Sequence, residues 1–185
     1  MTDNATPVFE TRGVNHVALV CSDMAATVDF YEGVLGFSLF KTIEMPGGGQ
    51  HFFFDIGNGA SLAFMWFPDA EPAAPGIASQ HPTHFRSAVG SMNHVAIDVP
   101  PERIDEYHRK LRALGLETHL INHDDSPRGA SREVHPGVWI RSLYFWDPDG
   151  IRLEFAAYCR AMTADDVAHQ PVDATGRHRD LTPTT

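Results

Sequence analysis

Cysteine and long apolar runs are both scarce in this sequence. Only two of the 185 residues, Cys21 and Cys159, are cysteines, too few for a disulfide scaffold or a Cys-rich zinc site. We therefore expect a reducing, cytoplasmic setting. The polar segment 1–12 lacks the basic start and apolar stretch of a secretory signal. No run approaches the roughly 20 apolar residues that a helix needs to cross a bilayer.

Basic residues are also few, whereas histidines are abundant. The 14 Lys and Arg against 24 Asp and Glu give a net charge of −10, and without a basic cluster nucleic acid is not an expected partner. The chain has 11 histidines. Because neutral imidazole is the commonest metal ligand and a ready proton carrier, this excess favours site chemistry.

A strand that carries a histidine occurs twice. The segment NHVALV at 15–20 returns 78 residues later as NHVAID at 93–98, and each copy leads into a helix-like stretch that ends in Leu-Gly. Such a repeat predicts two copies of one supersecondary unit. Paired around a pseudo-twofold axis, the two units would bring His16 and His94 together as the start of a metal site.

Alternating and helical spacings predict the order β-α-β-β-β in each unit. The predicted strands are 14–20, 37–44, 51–56 and 61–67, followed by 92–99, 117–122, 139–146 and 151–158. We assign 13–67 and 91–158 to two modules, 68–90 to a linker loop and 159–185 to a polar tail. The predicted class is α+β, with two paired βαβββ modules that form a concave mixed-sheet cup.

Side-chain parity places three metal-ligand types on one predicted face. Val95 and Ile97 suit the face that the helix covers, which leaves His94 on the concave side, and the same parity turns His16 and Glu154 inward. A buried, unpaired carboxylate is costly, and a metal ion would remove that cost. Two histidines and one carboxylate leave coordination positions free, as in non-haem Fe(II) sites. The alternative is structural: hydrogen-bonded histidines and a solvated glutamate.

The first unit offers no evident fourth ligand. Depending on how LEFAAY is aligned with ASLAFMWF, the equivalent of Glu154 is Ser61 or Ala63, and neither is a common ligand. This favours an open three-ligand site over a closed structural one.

Three motifs together resemble those of a known superfamily. FYEGVLGF follows the first histidine strand, and NHVA is repeated. The third motif, YFWDPDGIRLEF, occupies residues 144–155. Over residues 13–158 the chain resembles the vicinal oxygen chelate superfamily, which includes glyoxalase I, extradiol dioxygenases and bleomycin resistance proteins. The resemblance implies the fold and not one chemistry, because the same fold carries several.

Within that superfamily the chain is most similar to extradiol dioxygenases, which bind iron through two histidines and one glutamate. The resemblance implies His16, His94 and Glu154 as ligands of Fe(II), with Mn, Zn or Ni as alternatives. It also implies that His135 hydrogen-bonds substrate or oxygen and that Tyr144 contacts the hydroxyl of a catechol. The structural alternatives are a loop histidine and a core tyrosine.

The acid-base histidine of the extradiol enzymes has no counterpart, because the alignment puts Ala60 at its position. Ring cleavage needs a proton carrier within hydrogen-bond reach or one water away. His51 on the adjacent strand is our candidate, and His81 and His84 in the linker are alternatives.

The resulting hypothesis is a homodimeric non-haem Fe(II) enzyme that cleaves a small aromatic diol with O2. The residual positive charge of the metal would lower the pKa of a bound hydroxyl. Two other functions stay open. One is a glyoxalase-like isomerase or lyase, which needs a metal but no oxygen, and the other is a protein that binds a small aromatic molecule or antibiotic.

Overall fold

The computed structural model describes residues 13–72, 87, 89–167, 169 and 171–177. His81, His84 and most of the predicted linker 68–90 lie outside the described residues. The described chain forms two four-stranded mixed sheets with few helices, which confirms the predicted α+β class. None of the helices in these ranges is long and apolar enough to cross a membrane.

The first module follows the predicted order. Its elements are β1 (His16–Val20), α1 (Met24–Val28), β2 (Leu39–Glu44), β3 (Gln50–Gly57) and β4 (Ala60–Trp66), with a π-helical segment at Asp29–Val34 that continues α1. Asp23 caps α1, because its Oδ1 accepts a hydrogen bond from the Ala26 N–H at 3.0 Å. Gly36 follows the helix with a φ of +75°, the left-handed conformation expected of a helix-ending glycine.

The second module repeats this order. Its elements are β5 (Val95–Asp98), a 3-10 turn at Pro101–Arg103, α2 (Ile104–Ala113), β6 (His119–His123), β7 (Ile140–Trp146) and β8 (Arg152–Tyr158). A tight turn joins β7 to β8, and in it the Gly150 N–H donates to the Asp147 carbonyl at 3.0 Å. Each strand in the two modules begins and ends within about three residues of its predicted bounds.

The register of the sheets resolves the alignment that the sequence left open. The strand orders are β1-β4-β3-β2 and β5-β8-β7-β6, with the first and last strand of each module parallel. Ala18 lies opposite Ala63, and Ala96 lies opposite Glu154. Because Ala18 and Ala96 are equivalent in the repeat, the first-module counterpart of Glu154 is Ala63 and not Ser61.

One hydrophobic core joins the two modules through the sheet faces that carry the helices. Its fully enclosed side chains include Tyr31, Phe54 and Phe64 from the first module and Phe145 and Leu153 from the second. Burial of large aromatic side chains is the main source of stability in such a core. The opposite face of each sheet, which carries His16 in the first module and His94 in the second, is called the histidine face below.

Candidate metal centre

The histidine face of the second module carries a histidine–carboxylate pair. His94 directly precedes β5, and Glu154 lies in the middle of the neighbouring strand β8. The Nε2 atom of His94 is 2.8 Å from Oε2 of Glu154. Glu154 is only 3% exposed. Its negative charge is therefore shielded from water and has to be balanced by neighbouring groups of the protein.

Asn93 fixes the orientation of the His94 ring. Its Oδ1 is 2.7 Å from Nδ1 of His94, while its amide nitrogen donates to Ser87 Oγ at 2.7 Å. The Arg152 guanidinium also faces Oδ1, at 3.5 Å. Because Oδ1 can only accept, Nδ1 carries the ring proton and donates it. In the neutral ring, Nε2 then presents a lone pair to Glu154.

Two acceptors therefore face one another in the His94–Glu154 contact. A separation of 2.8 Å between an imidazole lone pair and a carboxylate oxygen needs either a proton or a cation between them. With a proton the contact is an ion pair, and a divalent metal would take the place of that proton. Metal-binding histidines usually donate their other ring N–H to a fixed partner, as His94 does to Asn93. The residues present thus fit two ligands of a metal ion.

The surroundings of Glu154 keep its carboxyl group ionised. Burial by itself raises the pKa of Glu154, but hydrogen bonds from His94 and Ser142 outweigh it, so the pKa lies below its usual value. The ionised carboxylate is the form that binds a metal.

Tyr144 and Arg152 lie beside this pair on the same face. The Tyr144 ring meets that of His94 edge-on, with centroids 5.5 Å apart, and Cζ of Arg152 lies 4.1 Å from the Tyr144 ring centroid. Burial, followed by the charge of Glu154, raises the pKa of the Tyr144 phenol, which keeps it protonated at neutral pH. This face therefore combines a histidine–carboxylate pair, a phenol and a guanidinium.

His16 has the same local arrangement on the histidine face of the first module. Its Nδ1 is 2.8 Å from Oδ1 of Asn15, which again leaves Nε2 as the atom that could reach a metal. The ring is exposed and meets Phe53 edge-on, with centroids 5.9 Å apart.

The described chain does not bring His16 to the His94–Glu154 pair. Within the described ranges, no group of three or more His, Cys, Asp or Glu side chains is placed to hold one metal ion. The two modules share one hydrophobic core, but His16 belongs to the sheet of the first module, whereas Glu154 belongs to that of the second, where it contacts His94. The set of three ligands, His16, His94 and Glu154, stays a prediction. Of these side chains, His94 and Glu154 are in contact within one chain.

His51 lies close to His16. Its ring packs on Phe53 with centroids 4.3 Å apart, and its Nε2 is buried without a hydrogen-bond partner among the described residues. Burial, and then the neighbouring His16, lower the pKa of His51. The ring is therefore neutral at pH 7, the form that can accept a proton.

His135 is engaged within its own loop. Its Nδ1 accepts a hydrogen bond from the Gly137 N–H at 3.1 Å, so its Nε2 carries the proton and donates to Oδ2 of Asp124 at 3.1 Å. Both ring nitrogens already have partners. The predicted contact of His135 with substrate stays a prediction.

Comparison with known proteins decides the family. Residues 13–155 match the model of the Glyoxalase/Bleomycin resistance protein/Dioxygenase superfamily. The chain belongs to this superfamily. That membership confirms the resemblance read from the repeated NHVA strands and the YFWDPDGIRLEF motif, whereas closeness to the extradiol enzymes stays a prediction.

Three relatives illustrate the range of this superfamily. Glyoxylase I 4 of Arabidopsis thaliana is 24% identical over 154 residues, which cover 83% of this chain and 75% of that protein. Metallothiol transferase FosB of Lysinibacillus sphaericus (strain C3-41) is 26% identical over 144 residues, 78% of this chain and 81% of that protein. The crystal structure of a glyoxalase family protein from Enterococcus faecalis superposes with a TM-score of 0.57 at 27% identity, covering 78% of this chain and 97% of that one.

Two asparagines that orient the histidines of this superfamily member were not among the site residues expected from the sequence. Asn15 and Asn93 each precede a histidine in the repeated NHVA strand. The signal was present, because the asparagine is repeated together with its histidine. No sequence pattern indicated that Arg152 lies over the Tyr144 ring, because that contact depends on the register between strands β7 and β8.

Proposed function

We propose that the protein is a divalent-metal enzyme that acts on a small substrate with two neighbouring oxygen atoms. The observation that carries this proposal is the 2.8 Å contact between His94 Nε2 and Glu154 Oε2, with the ring proton held on Nδ1 by Asn93. In this proposal, His94 and Glu154 would be two ligands that are already oriented before a metal binds. The name of the relative FosB, a metallothiol transferase, supports a metal in this fold.

The third ligand, in this proposal, is His16 from a second copy of the chain. Within the described residues, β1 and β5 each end a sheet and pair on one side only. His16, Ala18 and Val20 are exposed along β1, and an exposed sheet edge is a site where another chain can pair. A twofold arrangement would set β1 of each copy beside β5 of the other and form two equivalent centres. The protein would then be a homodimer.

Each side chain has a distinct part in such a centre. A bound divalent metal would supply a Lewis acid that lowers the pKa of a substrate hydroxyl. His94 and His16 present Nε2, and Glu154 contributes the negative charge that offsets the metal. The phenol of Tyr144, which hydrogen-bonds Glu154, would turn that hydrogen bond to a substrate oxygen, while the guanidinium of Arg152 would offer positive charge to an anionic one.

His51 is the proposed proton carrier. The rings of His51 and His16 both contact the Phe53 ring, so a second copy that supplied His16 would also bring His51. Its lowered pKa leaves a neutral imidazole that can accept a proton at pH 7. This would replace the histidine that is absent at Ala60.

Two reactions fit this arrangement. Cleavage of a catechol by O2 with Fe(II) suits two histidines and a carboxylate, and the Tyr144 ring against His94 supports it. An isomerase, lyase or transferase with Mn, Zn or Ni is supported by the names of the relatives, Glyoxylase I 4 and metallothiol transferase FosB. Only the first reaction consumes oxygen. The free cysteines Cys21 and Cys159 support a cytoplasmic, reducing location for either.

Metal analysis of protein purified without chelator tests the proposal. Wild-type protein should hold about one metal ion per chain, and the variant Glu154→Ala should lose it. Glu117→Ala, which removes a 75% exposed carboxylate, is the matched control and should keep the metal. Equal metal content in Glu154→Ala would reject the assignment. Oxygen uptake by the metal-loaded protein with a catechol panel then separates the two reactions.

A further inference from the structure

A cavity of about 500 Å³ opens on the histidine face of the first module. Its wall includes Asn15, Phe40, Lys41, Phe53, Asp55 and Ser61. The volume is within the range of small-molecule sites. Within one chain this cavity is separate from the His94–Glu154 pair, which belongs to the other sheet.

Aromatic rings form one side of the cavity. Phe40 is 59% exposed, although phenylalanine is among the residues that are most often buried in folded proteins. Its ring lies 6.1 Å from that of Phe53, and Phe53 also contacts the rings of His51 and His16. A flat apolar ligand would cover Phe40 and would lie next to His16.

Lys41 supplies positive charge to the same wall. It is one of two lysines in a chain of net charge −10, and the other, Lys110, pairs with Glu106 at 2.6 Å. None of the ion pairs between described residues includes Lys41. Asp55 also lines the cavity, but among the described residues it forms no ion pair with Lys41, and its Oδ1 accepts a hydrogen bond from the Gly57 N–H at 2.8 Å. The ammonium group is thus available to an anion.

We propose that this cavity binds a small aromatic carboxylate, with its ring against Phe40 and Phe53 and its carboxylate on Lys41. This inference rests on the proposed function, because the aromatic carboxylate would be the substrate of that enzyme. The cavity shares Asn15 and Phe53 with the surroundings of His16. A ligand held there lies next to the ligand that the first module would contribute to the metal centre.

Binding of benzoate and benzamide to the chelator-treated full chain tests this inference. The two probes share size and shape and differ in charge, and tryptophan fluorescence or ligand-observed NMR gives both affinities. Benzoate should bind at least about tenfold more tightly than benzamide. Lys41→Met should bring benzoate down to the affinity of benzamide, whereas Lys110→Met should change neither. Phe40→Ala should weaken both probes.

Equal affinities in the wild type, a preference for benzoate that survives Lys41→Met, or no saturable binding at millimolar concentration would each overturn the inference. Because the titration is made without metal, its result is independent of the metal analysis. A chain that prefers benzoate through Lys41 but binds no metal would refute the proposed function alone. A chain that binds metal through Glu154 but not benzoate would refute the aromatic carboxylate alone.

Discussion

The phenol of Tyr31 donates a hydrogen bond to Oδ2 of Asp147, 3.0 Å away, and so joins the first module to the β7–β8 turn of the second. Tyr31 is fully buried and Asp147 is 7% exposed. Oδ1 of the same carboxylate accepts from the backbone N–H groups of Asp149 and Ile151, at 3.0 and 2.7 Å. One buried acid thus shapes the turn and fixes the contact between the modules.

Tyr31→Phe should lower the free energy of unfolding by about 1–3 kcal/mol, because a buried carboxylate oxygen loses its partner. Urea titration followed by circular dichroism measures the change. Tyr158→Phe, which alters a tyrosine that is 58% exposed, is the matched control and should have little effect. An unchanged midpoint in Tyr31→Phe would show that this bond contributes nothing to the docking of the modules.

The Asp147 carboxyl group should make stability depend on pH. Burial raises the pKa of Asp147 to about 6, although hydrogen bonds from Ile151 and Tyr31 act in the opposite direction. The folded state therefore holds the carboxyl proton of Asp147 more tightly than the unfolded chain does, in which the pKa of an aspartate is about 4. Its contribution to stability is present below about pH 4 and is lost as the pH rises through about 6.

Asp147→Asn removes this titration. The unfolding free energy of the wild type minus that of the variant should fall between about pH 4 and 6 and should level off above about pH 7. Urea titrations of both proteins across this range measure the difference. A difference that stays constant, or that rises with pH, would contradict the raised pKa.

Asn93→Ala should weaken metal binding by about 10- to 100-fold, because the His94 ring loses the partner that fixes its tautomer. Asn15→Ala should act in the same direction through His16. Calorimetric titration with Mn(II) measures both effects. Gln50→Ala removes an amide that donates to Glu44 at 2.9 Å and should leave the affinity unchanged. Full affinity in Asn93→Ala would show that the asparagine does not orient a metal ligand.

Mixing of two inactive variants should restore binding if the centre is shared between copies. His16→Ala and Glu154→Ala should each bind no metal tightly. After subunit exchange, half of the dimers are mixed and each mixed dimer has one intact centre, so metal content should recover to about a quarter of that of the wild type. No recovery, with exchange verified by differently tagged chains, would mean that no centre is shared between two copies.

Much of the fold was predictable from local sequence, and so was the placement of Glu154 on the same face as His94. Strand parity is a property of the backbone with a period of two residues. It placed Glu154 on the face of His94, where the structure has it. The end of the first helix at Gly36 was predictable for the same reason, because it depends on a few adjacent residues.

The tertiary structure alone decided how the two faces are arranged. The equivalence of Ala63 with Glu154 depends on the register between strands that are far apart in sequence. The separation of His16 from the His94–Glu154 pair depends on how the two modules pack together around the shared core. Parity tells which side chains share a face, but the burial of apolar surface over the whole chain selects the faces that meet. The sequence thus indicated the candidate ligand types, and the packing of the two modules decided that, within the described ranges, His94 and Glu154 come together without His16.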